Sequence, residues 1–406
     1  MKLSKLPLLA KVVIGIILGI LFSLFLPEWC VRIFVTLSGI FGNFLGFIIP
    51  LLIVGLVAPG IAELGKGAGK LLGITSLIAY GSTVFAGFLS YYSCVWTYPS
   101  IIDKTPETMA KFQGLASSSI EPYFSIDMPP VMSVMTALIL AFVLGLGLAK
   151  VQGGTFRGVL NELKEVIELV ITKVIIPILP FYIFCIFLKI GAEGSVVAVL
   201  GLFLKVILVI FVIHVLLLVI QFCIAGAVSG KNPFKALVTM LPAYMTALGT
   251  QSSAATIPVT LAQAKKNGVA DEVAEFSVPL CATIHLAGST LKIVACAFAI
   301  SFMMGMPTNV GLYAGFIMML GITMVAAPGV PGGAIMACLG ILQSMLGFGE
   351  SEQALMIALY IAMDSFGTAC NVTGDGAIAL IINKFYGKKK EKQPEEAAGN
   401  SKLIVF

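Results

Sequence analysis

The sequence is poor in charged residues, and in histidine and arginine in particular, and each shortage argues against a class of protein. Only 11% of its 406 residues are charged and 59% are hydrophobic, a balance unlike that of soluble globular domains. Its two histidines, His214 and His285, argue against a histidine-based metal centre. The phosphate-binding pattern G-x-x-x-x-G-K-S/T is missing, so we do not expect ATP to power this protein.

Cysteine is present but forms no recognisable pattern. The eight cysteines are scattered through mostly apolar stretches, without a C-x-x-C pair. This spacing excludes a disulfide framework and a cysteine-based metal site. We expect the cysteines to act as small apolar residues at contacts between helices.

Long apolar runs fill the rest of the chain, and the mean hydropathy is +1.04. Runs of this length predict an all-α polytopic membrane protein, because a membrane barrel would show alternating segments of about ten residues. The first run resembles a secretory signal, but its length and the lack of a small-x-small cleavage site favour a spanning helix. The predicted apolar segments are 8–27, 33–60, 71–96, 129–150, 163–191, 195–227, 236–263, 276–304, 311–345 and 353–383.

Lysine and arginine are concentrated in alternate connections between these segments. The N-terminal stretch, the second and fourth connections, the loop after the sixth segment and the C-terminal tail are basic. Residues 97–128, by contrast, balance their lysines with acidic residues. Because basic loops face the cytoplasm, we predict a multi-pass protein of the inner membrane with both termini inside.

Two segments of the second half break this alternation. KKNGVADE (265–272) is again basic, so 236–263, with the polar middle ALGTQSSAATIPVT, must enter and leave the membrane on one side. Residues 311–345 pose the same problem on the outer side and contain the helix-breaking AAPGVPGGA. A helix with a polar centre follows each, which predicts an inverted repeat. Paired segments interrupted by Gly and Pro mark the substrate site in secondary transporters.

The polar centre of the last segment is MDSFGTACNVTGD (363–375). Its Asp364, Thr368, Asn371 and Asp375 follow spacings of 4, 3 and 4, which places them on one stripe of a helix. A polar seam between packed helices is one explanation. A charge at bilayer depth, however, costs at least about 2.5–3.5 kcal/mol on insertion scales, so two aspartates favour a binding role.

Three motifs carry a family resemblance: SSAATIPVT (252–260), GVPGGAIM (329–336) and NVTGD (371–375). With them, the second half resembles the dicarboxylate/amino acid:cation symporter family, which has the glutamate-transporter fold. The resemblance is strong over about 240–380, whereas the first 230 residues match only in the number and character of their spans. It implies eight transmembrane helices and two re-entrant helical hairpins.

The resemblance also implies a division of the chain into a scaffold, a transport core and a tail. Residues 1–230 would be mainly scaffold and trimerisation helices, with the third and sixth spans in the transport domain. Residues 231–387 would form the transport core, and 388–406 a cytoplasmic tail. The implied assembly is a homotrimer in the lipid bilayer whose transport domains slide across the membrane like an elevator. No nucleic-acid partner and no enzymatic activity are expected.

An amino acid with a cation suits the polar groups, and the resemblance assigns them roles. Asp364 would bind an α-ammonium. Asn371 would bind an α-carboxylate together with Ser252 and Ser253, which form the tip of the first interrupted segment. The substrate-binding set would be Ser252, Ser253, Val330, Gly332, Asp364, Gly367, Thr368 and Asn371. For sodium, the resemblance implies Asp375 with main-chain carbonyls of Cys281, His285 and Asn371, and a second site near Thr283.

Departures from the family pattern bear on the substrate. Relatives that carry acidic substrates place an arginine at the position of Gly367 or of Gln251, whereas the only arginines here are Arg32 and Arg157. Without an arginine fork, a side-chain carboxylate would be held poorly. Gly367 is expected to leave neutral space, so we predict a small neutral substrate, as in the serine/threonine:sodium symporter branch that the motifs resemble.

Two further departures concern the cations. Ala287 stands where relatives have the aspartate of an additional sodium site, so one or two sodium ions are expected. Lys292 is the nearest cation to the pocket, and its position two turns from His285 predicts that it points away. His285 is expected to be a core hydrogen-bonding residue that contributes only its carbonyl to the sodium site. The alternative is that His285 or Lys292 replaces a missing cation or titrates.

Other functions stay open at this point. The main alternatives are a dicarboxylate or acidic amino-acid symporter and proton-coupled uptake. An anion-conducting channel is the alternative from another class, although no basic ring is predicted to line a pore. An intramembrane protease is disfavoured, because Asp364 and Asp375 lie eleven residues apart. That spacing separates them by about 16 Å along a helix, too far to share a proton.

Overall fold

The computed structural model describes residues 6–64, 70–102, 105, 109, 120–151, 154–328 and 331–387. Every regular element within these ranges is a helix. The predicted tail, 388–406, and the predicted site residue Val330 lie outside the described residues.

The helices fall into two groups along the chain. The first-half helices are α1 (Leu8–Ser23), α2 (Glu28–Leu64), α3 (Lys70–Ile101), α4 (Val134–Lys150), α5 (Thr155–Val170), α6 (Ile176–Ala192) and α7 (Val196–Ser229). A π-helical turn, Ile171–Ile175, joins α5 to α6. The second-half helices are α8 (Pro233–Thr239), α9 (Leu241–Thr250), α10 (Ser253–Lys266), α11 (Asp271–Ile284), α12 (Ala287–Met304), α13 (Val310–Val325), α14 (Gly333–Leu346), α15 (Glu350–Ala362) and α16 (Asp364–Tyr386).

Six helical stretches in the described part are long and apolar enough to cross a membrane. They are Glu28–Ala62, Leu71–Ile101, Thr155–Ala192, Val196–Ser229, Asp271–Met304 and Asp364–Tyr386. The predicted class, a polytopic α-helical membrane protein, is thereby confirmed. Shorter apolar helices include α1, α13 and α14.

Close helix contacts in the first half depend on glycine. In α1, a side chain at Gly15 or Gly19 would collide with backbone oxygens of Pro180 and Phe184 in α6. Small residues at such positions let two helix backbones approach closely. In lipid, this close packing holds helices together, because the hydrophobic effect gives no driving force between them. A side chain at Gly145 in α4 would likewise collide with Ile61 and with the carbonyl of Ala58 in α2, and α2 also contacts α5 and α6.

The second half repeats one plan, a helical pair joined by a tip and then a long helix with a break. The first pair, α9 and α10, is joined at Gln251 and Ser252, and Gln251 takes a left-handed conformation (φ 54°). The second pair, α13 and α14, is joined at the second tip, of which the structure describes residues 326–328 and 331–332. The long helices break at His285 and Leu286 and at Met363.

The last helix, α16, lies at the centre of this half. It contacts α9, α10, α11 and α12 and, from the first half, α3 and α7. A side chain at Gly288 would collide with Cys370 and with the carbonyl of Gly367, so α12 approaches the backbone of α16 closely. All residues from Thr368 to Leu380 are buried, which places the polar stripe inside protein and away from lipid.

Candidate functional site

Three helix N-termini converge on the beginning of α16. The N–H of Gly332, at the start of α14, donates to Asp364 Oδ2 (2.7 Å). The N–H groups of Gly288 and Ser289, at the start of α12, donate to Asn371 Oδ1 (2.8 and 3.3 Å). Ser253, the first residue of α10, lines the same cavity. Helix N-termini carry partial positive charge, so this arrangement favours negative charge at its centre.

The cavity at this point is small. Its free volume is about 20 Å³, close to what one water molecule requires. Its lining residues come from both tips and both broken helices: Gln251, Ser253, Ala282, Thr283, Leu286, Ser289, Ala327, Pro328, Ala334, Tyr360, Asp364, Thr368 and Asn371. The polar groups have therefore closed on one another, and an amino acid would fit only after one tip moves.

Asp364 forms an ion pair with a buried lysine. Lys292 Nζ lies 3.5 Å from Asp364 Oδ1 and donates to the carbonyl of Met363 (3.1 Å). The same ammonium lies 3.8 Å from the centre of the Tyr360 ring, within range of a cation–π interaction. Lys292 is only 1% exposed.

This placement corrects two expectations from the sequence. Lys292 does not point away from the pocket, and Gly367 does not leave neutral space. A methyl group at Gly367 would overlap Cε and Nζ of Lys292, so the lysine fills the volume that the missing side chain leaves. The reason is electrostatic, because Asp364 is the carboxylate within reach of this buried ammonium and each compensates the other.

The other polar groups of the stripe bond to protein. Asn371 Nδ2 donates to Ser289 Oγ (3.1 Å), which also accepts from the hydroxyl of Tyr360 (3.1 Å). Both ends of the Asn371 amide thus hold the start of α12, whereas we expected its NH₂ to face the substrate. Thr368 donates to the carbonyl of Asp364 (3.0 Å). These bonds fix the turn of α16 that carries Asp364.

Asp375 belongs to a separate polar cluster, about three turns after Asp364 along α16. Its Oδ1 lies 2.8 Å from His285 Nδ1, and His285 Nε2 lies 3.0 Å from Ser82 Oγ. Gln221 Nε2 donates to the same Ser82 oxygen (2.9 Å). The ring of His285 therefore forms hydrogen bonds in the protein core, as expected, and its carbonyl stays a predicted sodium ligand. Asp375 Oδ2 is buried and has no hydrogen-bond partner in the part of the chain that the structure describes.

The remaining predicted residues fall around these two clusters. Ser252 caps α10, its hydroxyl accepting from the N–H of Ala255 (3.2 Å). The carbonyl of Cys281 accepts the N–H of His285 (2.9 Å), and Thr283 donates to the carbonyl of Leu280 (2.7 Å). Through the first of these bonds Cys281 contacts His285 of the Asp375 cluster, whereas Thr283 lines the small cavity.

Sequence reasoning missed Ser289 and Tyr360 and misplaced Lys292. A signal for Ser289 and Lys292 existed, because they are three residues apart in α12 and so share a face of the helix. A signal for Tyr360 existed too, because it lies four residues before Asp364 and so continues the polar stripe of the predicted segment 353–383. It precedes the break at Met363, and only the folded chain brings its ring under the lysine.

A sequence model of the sodium:dicarboxylate symporter family matches residues 8–385, nearly the whole chain. The chain belongs to the sodium:dicarboxylate symporter family. This symporter is similar to the serine/threonine transporters SstT of Acinetobacter baumannii strains AYE and AB307-0294. Identity to each is 27% over 403 residues, which cover 94% of this chain and 97% of the relative.

Membership establishes the general activity of this symporter. It is a membrane transporter of a small molecule, coupled to sodium, and not an enzyme. The resemblance that the motifs SSAATIPVT, GVPGGAIM and NVTGD suggested is confirmed.

Proposed function

We propose that this symporter imports a small neutral amino acid, of serine or threonine type, together with one or two sodium ions. The observation that carries the proposal is Asp364, a buried carboxylate at the meeting point of both tips. An α-ammonium requires such a partner in a site shielded from water. The α-carboxylate would lie at the start of α10, where Ser253 and the helix N-terminus offer donors.

The charge of the pocket supports a neutral substrate. Lys292 and Asp364 compensate each other, so the pair adds no net charge to the pocket. A zwitterion leaves that balance unchanged, whereas an acidic amino acid brings one more negative charge that needs a partner. The related SstT proteins carry serine and threonine in their name, which agrees with this choice.

For sodium, the proposed main ligand is Asp375. Its Oδ2 is buried without a hydrogen-bond partner in the described part of the chain, and a cation would satisfy it. Carboxylate and carbonyl oxygens are the ligands that hard cations prefer, so carbonyls of Cys281, His285 and Asn371 would complete the site. A second sodium would bind near Thr283 and the second tip. At the third possible position, Ala287 offers no carboxylate.

We further propose the family architecture: eight spans and two re-entrant hairpins, an elevator-type movement, and a homotrimer with both termini in the cytoplasm. Packing supports a division into two bodies. The helices α1, α2, α4, α5 and α6 contact one another, whereas α3 and α7 pack against α12 and α16. The first set would be the scaffold, and α3 and α7 would move with the second half.

A second candidate substrate is an acidic amino acid or a dicarboxylate. Lys292 favours it, because its ammonium lies beside Gly367, where acidic-substrate relatives are expected to hold an arginine. If the substrate lacked an ammonium, Asp364 would keep Lys292 as its partner and the lysine would still offer donors. The two candidates differ in the charge that the pocket must accept.

Uptake by purified protein in proteoliposomes under a sodium gradient tests the proposal. We expect saturable uptake of labelled serine or alanine that stops without sodium and is inhibited by threonine. Inhibition by aspartate or succinate, with none by serine or alanine, would instead establish the second candidate. Flux that neither saturates nor depends on sodium would contradict both and favour a channel.

A further inference from the structure

The ammonium of Lys292 makes the contacts that a substrate ammonium would need. It has the carboxylate of Asp364, the carbonyl of Met363 and the face of the Tyr360 ring around it. A free amino acid presents the same chemical group with the same three N–H donors. Lys292 and the proposed substrate therefore compete for one carboxylate.

The second tip closes the cavity beside Asp364, whose carboxylate Lys292 already occupies. Asp364 Oδ1 faces Lys292, and its Oδ2 accepts from Gly332 N–H at the second tip. The neighbouring cavity holds about 20 Å³, so no amino acid fits while the tip stays in place. Without Lys292, closing the tip would bury an uncompensated carboxylate, which is strongly unfavourable.

We propose that Lys292 is a tethered substitute for the substrate ammonium: it neutralises Asp364 so that the second tip closes over the substrate-free pocket, and it must leave Asp364 when an amino acid binds. This inference rests on the proposed function, because it takes the substrate to carry an α-ammonium. It makes Lys292 a determinant of affinity and of the return step, in which the carrier crosses the membrane without substrate.

Two consequences separate this role from a structural one. Removing the lysine charge should strengthen amino-acid binding, because the substrate no longer competes for Asp364. It should also slow net uptake, because the substrate-free carrier no longer closes easily. Exchange of internal for external substrate should continue, since the loaded carrier brings its own ammonium.

The test is Lys292→Met in proteoliposomes, with Lys205→Met in α7 as the matched control. We expect the Kd for alanine to fall at least about tenfold, equivalent to 1.4 kcal/mol, with little change for lactate, which lacks the ammonium. Net uptake into substrate-free vesicles should fall several-fold while alanine exchange persists. The control should match the wild type in both Kd values, in net uptake and in exchange.

The outcomes separate this inference from the proposed function. Wild-type transport of alanine with an unchanged Kd and unchanged net uptake in Lys292→Met would overturn the inference alone. Equal loss of net uptake and exchange, or loss of alanine binding in a folded variant, would overturn it in favour of a structural role or direct substrate contact. A wild type that binds no neutral amino acid would overturn both proposals. If Lys292→Met does not fold, Lys292→Gln provides the same readouts with the charge removed and a donor kept.

Discussion

At the scale of single residues, two buried aspartates on one helix have different neighbours. Asp364 is held by a lysine and by the N–H of a helix tip, whereas Asp375 is held by a histidine. Burial of a carboxylate is tolerated only where such partners compensate the lost hydration. The difference predicts different consequences when each carboxylate is neutralised.

Asp364→Asn should abolish binding of neutral amino acids, because an amide offers no charge to the α-ammonium. The change also leaves Lys292 buried without its counter-charge, which costs about 3–5 kcal/mol when a buried pair is broken from one side. The double variant Asp364→Asn/Lys292→Met removes both charges and should restore thermal stability but not binding. Wild-type affinity in either folded protein, measured by calorimetry, would contradict the assignment.

Asp375→Asn should weaken sodium binding while keeping the fold, because the amide oxygen still accepts a hydrogen bond from His285. Since sodium and substrate binding are linked, apparent substrate affinity should fall at low sodium and recover at high sodium. Substrate titrations at several sodium concentrations measure this shift. Identical sodium dependence in variant and wild type would make the Asp375 cluster structural.

Gly367→Arg alone should inactivate the protein, because any side chain there overlaps Lys292. With Lys292→Ala added, the arginine gains room and restores the positive charge of the pocket. The family resemblance implies an arginine at this position in relatives that carry acidic substrates, so the double variant should be inhibited by aspartate, unlike the wild type. Competition of labelled serine uptake by aspartate measures the change, and Lys292→Ala alone is the control.

At the scale of elements, the site depends on helices that end inside the protein. Breaks at His285 and Leu286, at Met363 and at the two tips leave backbone N–H groups available where continuous helices would have none. Those N–H groups bond to Asp364 and Asn371. Broken backbone at membrane depth is tolerated because protein surrounds it.

Gly332 at the second tip has a left-handed backbone (φ 77°), as has Gly347 at the other end of α14 (φ 73°). Alanine at either position costs about 1–2 kcal/mol of backbone strain, so both variants should lose thermal stability similarly. Only Gly332→Ala should also weaken substrate binding, because the N–H of Gly332 holds Asp364 and a side chain would approach Ile361. Equal substrate affinity of the two variants, measured by calorimetry, would show that the contact between Gly332 and Asp364 does not contribute to binding.

At the scale of the whole molecule, the proposed elevator-type movement requires the scaffold and the transport core to slide past each other. One place where they meet is α2 with the second tip, directly after α13. A Cβ atom at Gly60 would lie 3.4 Å from Cβ of Ala326. That separation is close to the range that a disulfide bridge requires.

Gly60→Cys/Ala326→Cys should therefore cross-link on oxidation and hold the carrier in this conformation. We expect uptake to fall by at least about tenfold after oxidation and to recover with a reductant; each single-cysteine variant should transport in both conditions. Full uptake by cross-linked protein would rule out sliding at this boundary.

The sequence by itself determined the membrane class, the two interrupted helical pairs, the polar stripe of the last helix and the family. Apolar runs, Gly/Pro clusters and a helical repeat are local patterns, so they are readable without a fold. Only the tertiary structure decided which side chains contact the polar stripe. Lys292 lies beside Asp364 and against the ring of Tyr360, and His285 bonds to Asp375. A long side chain's direction depends on which charge folding brings within reach, and α12 and α16 lie about seventy residues apart along the chain.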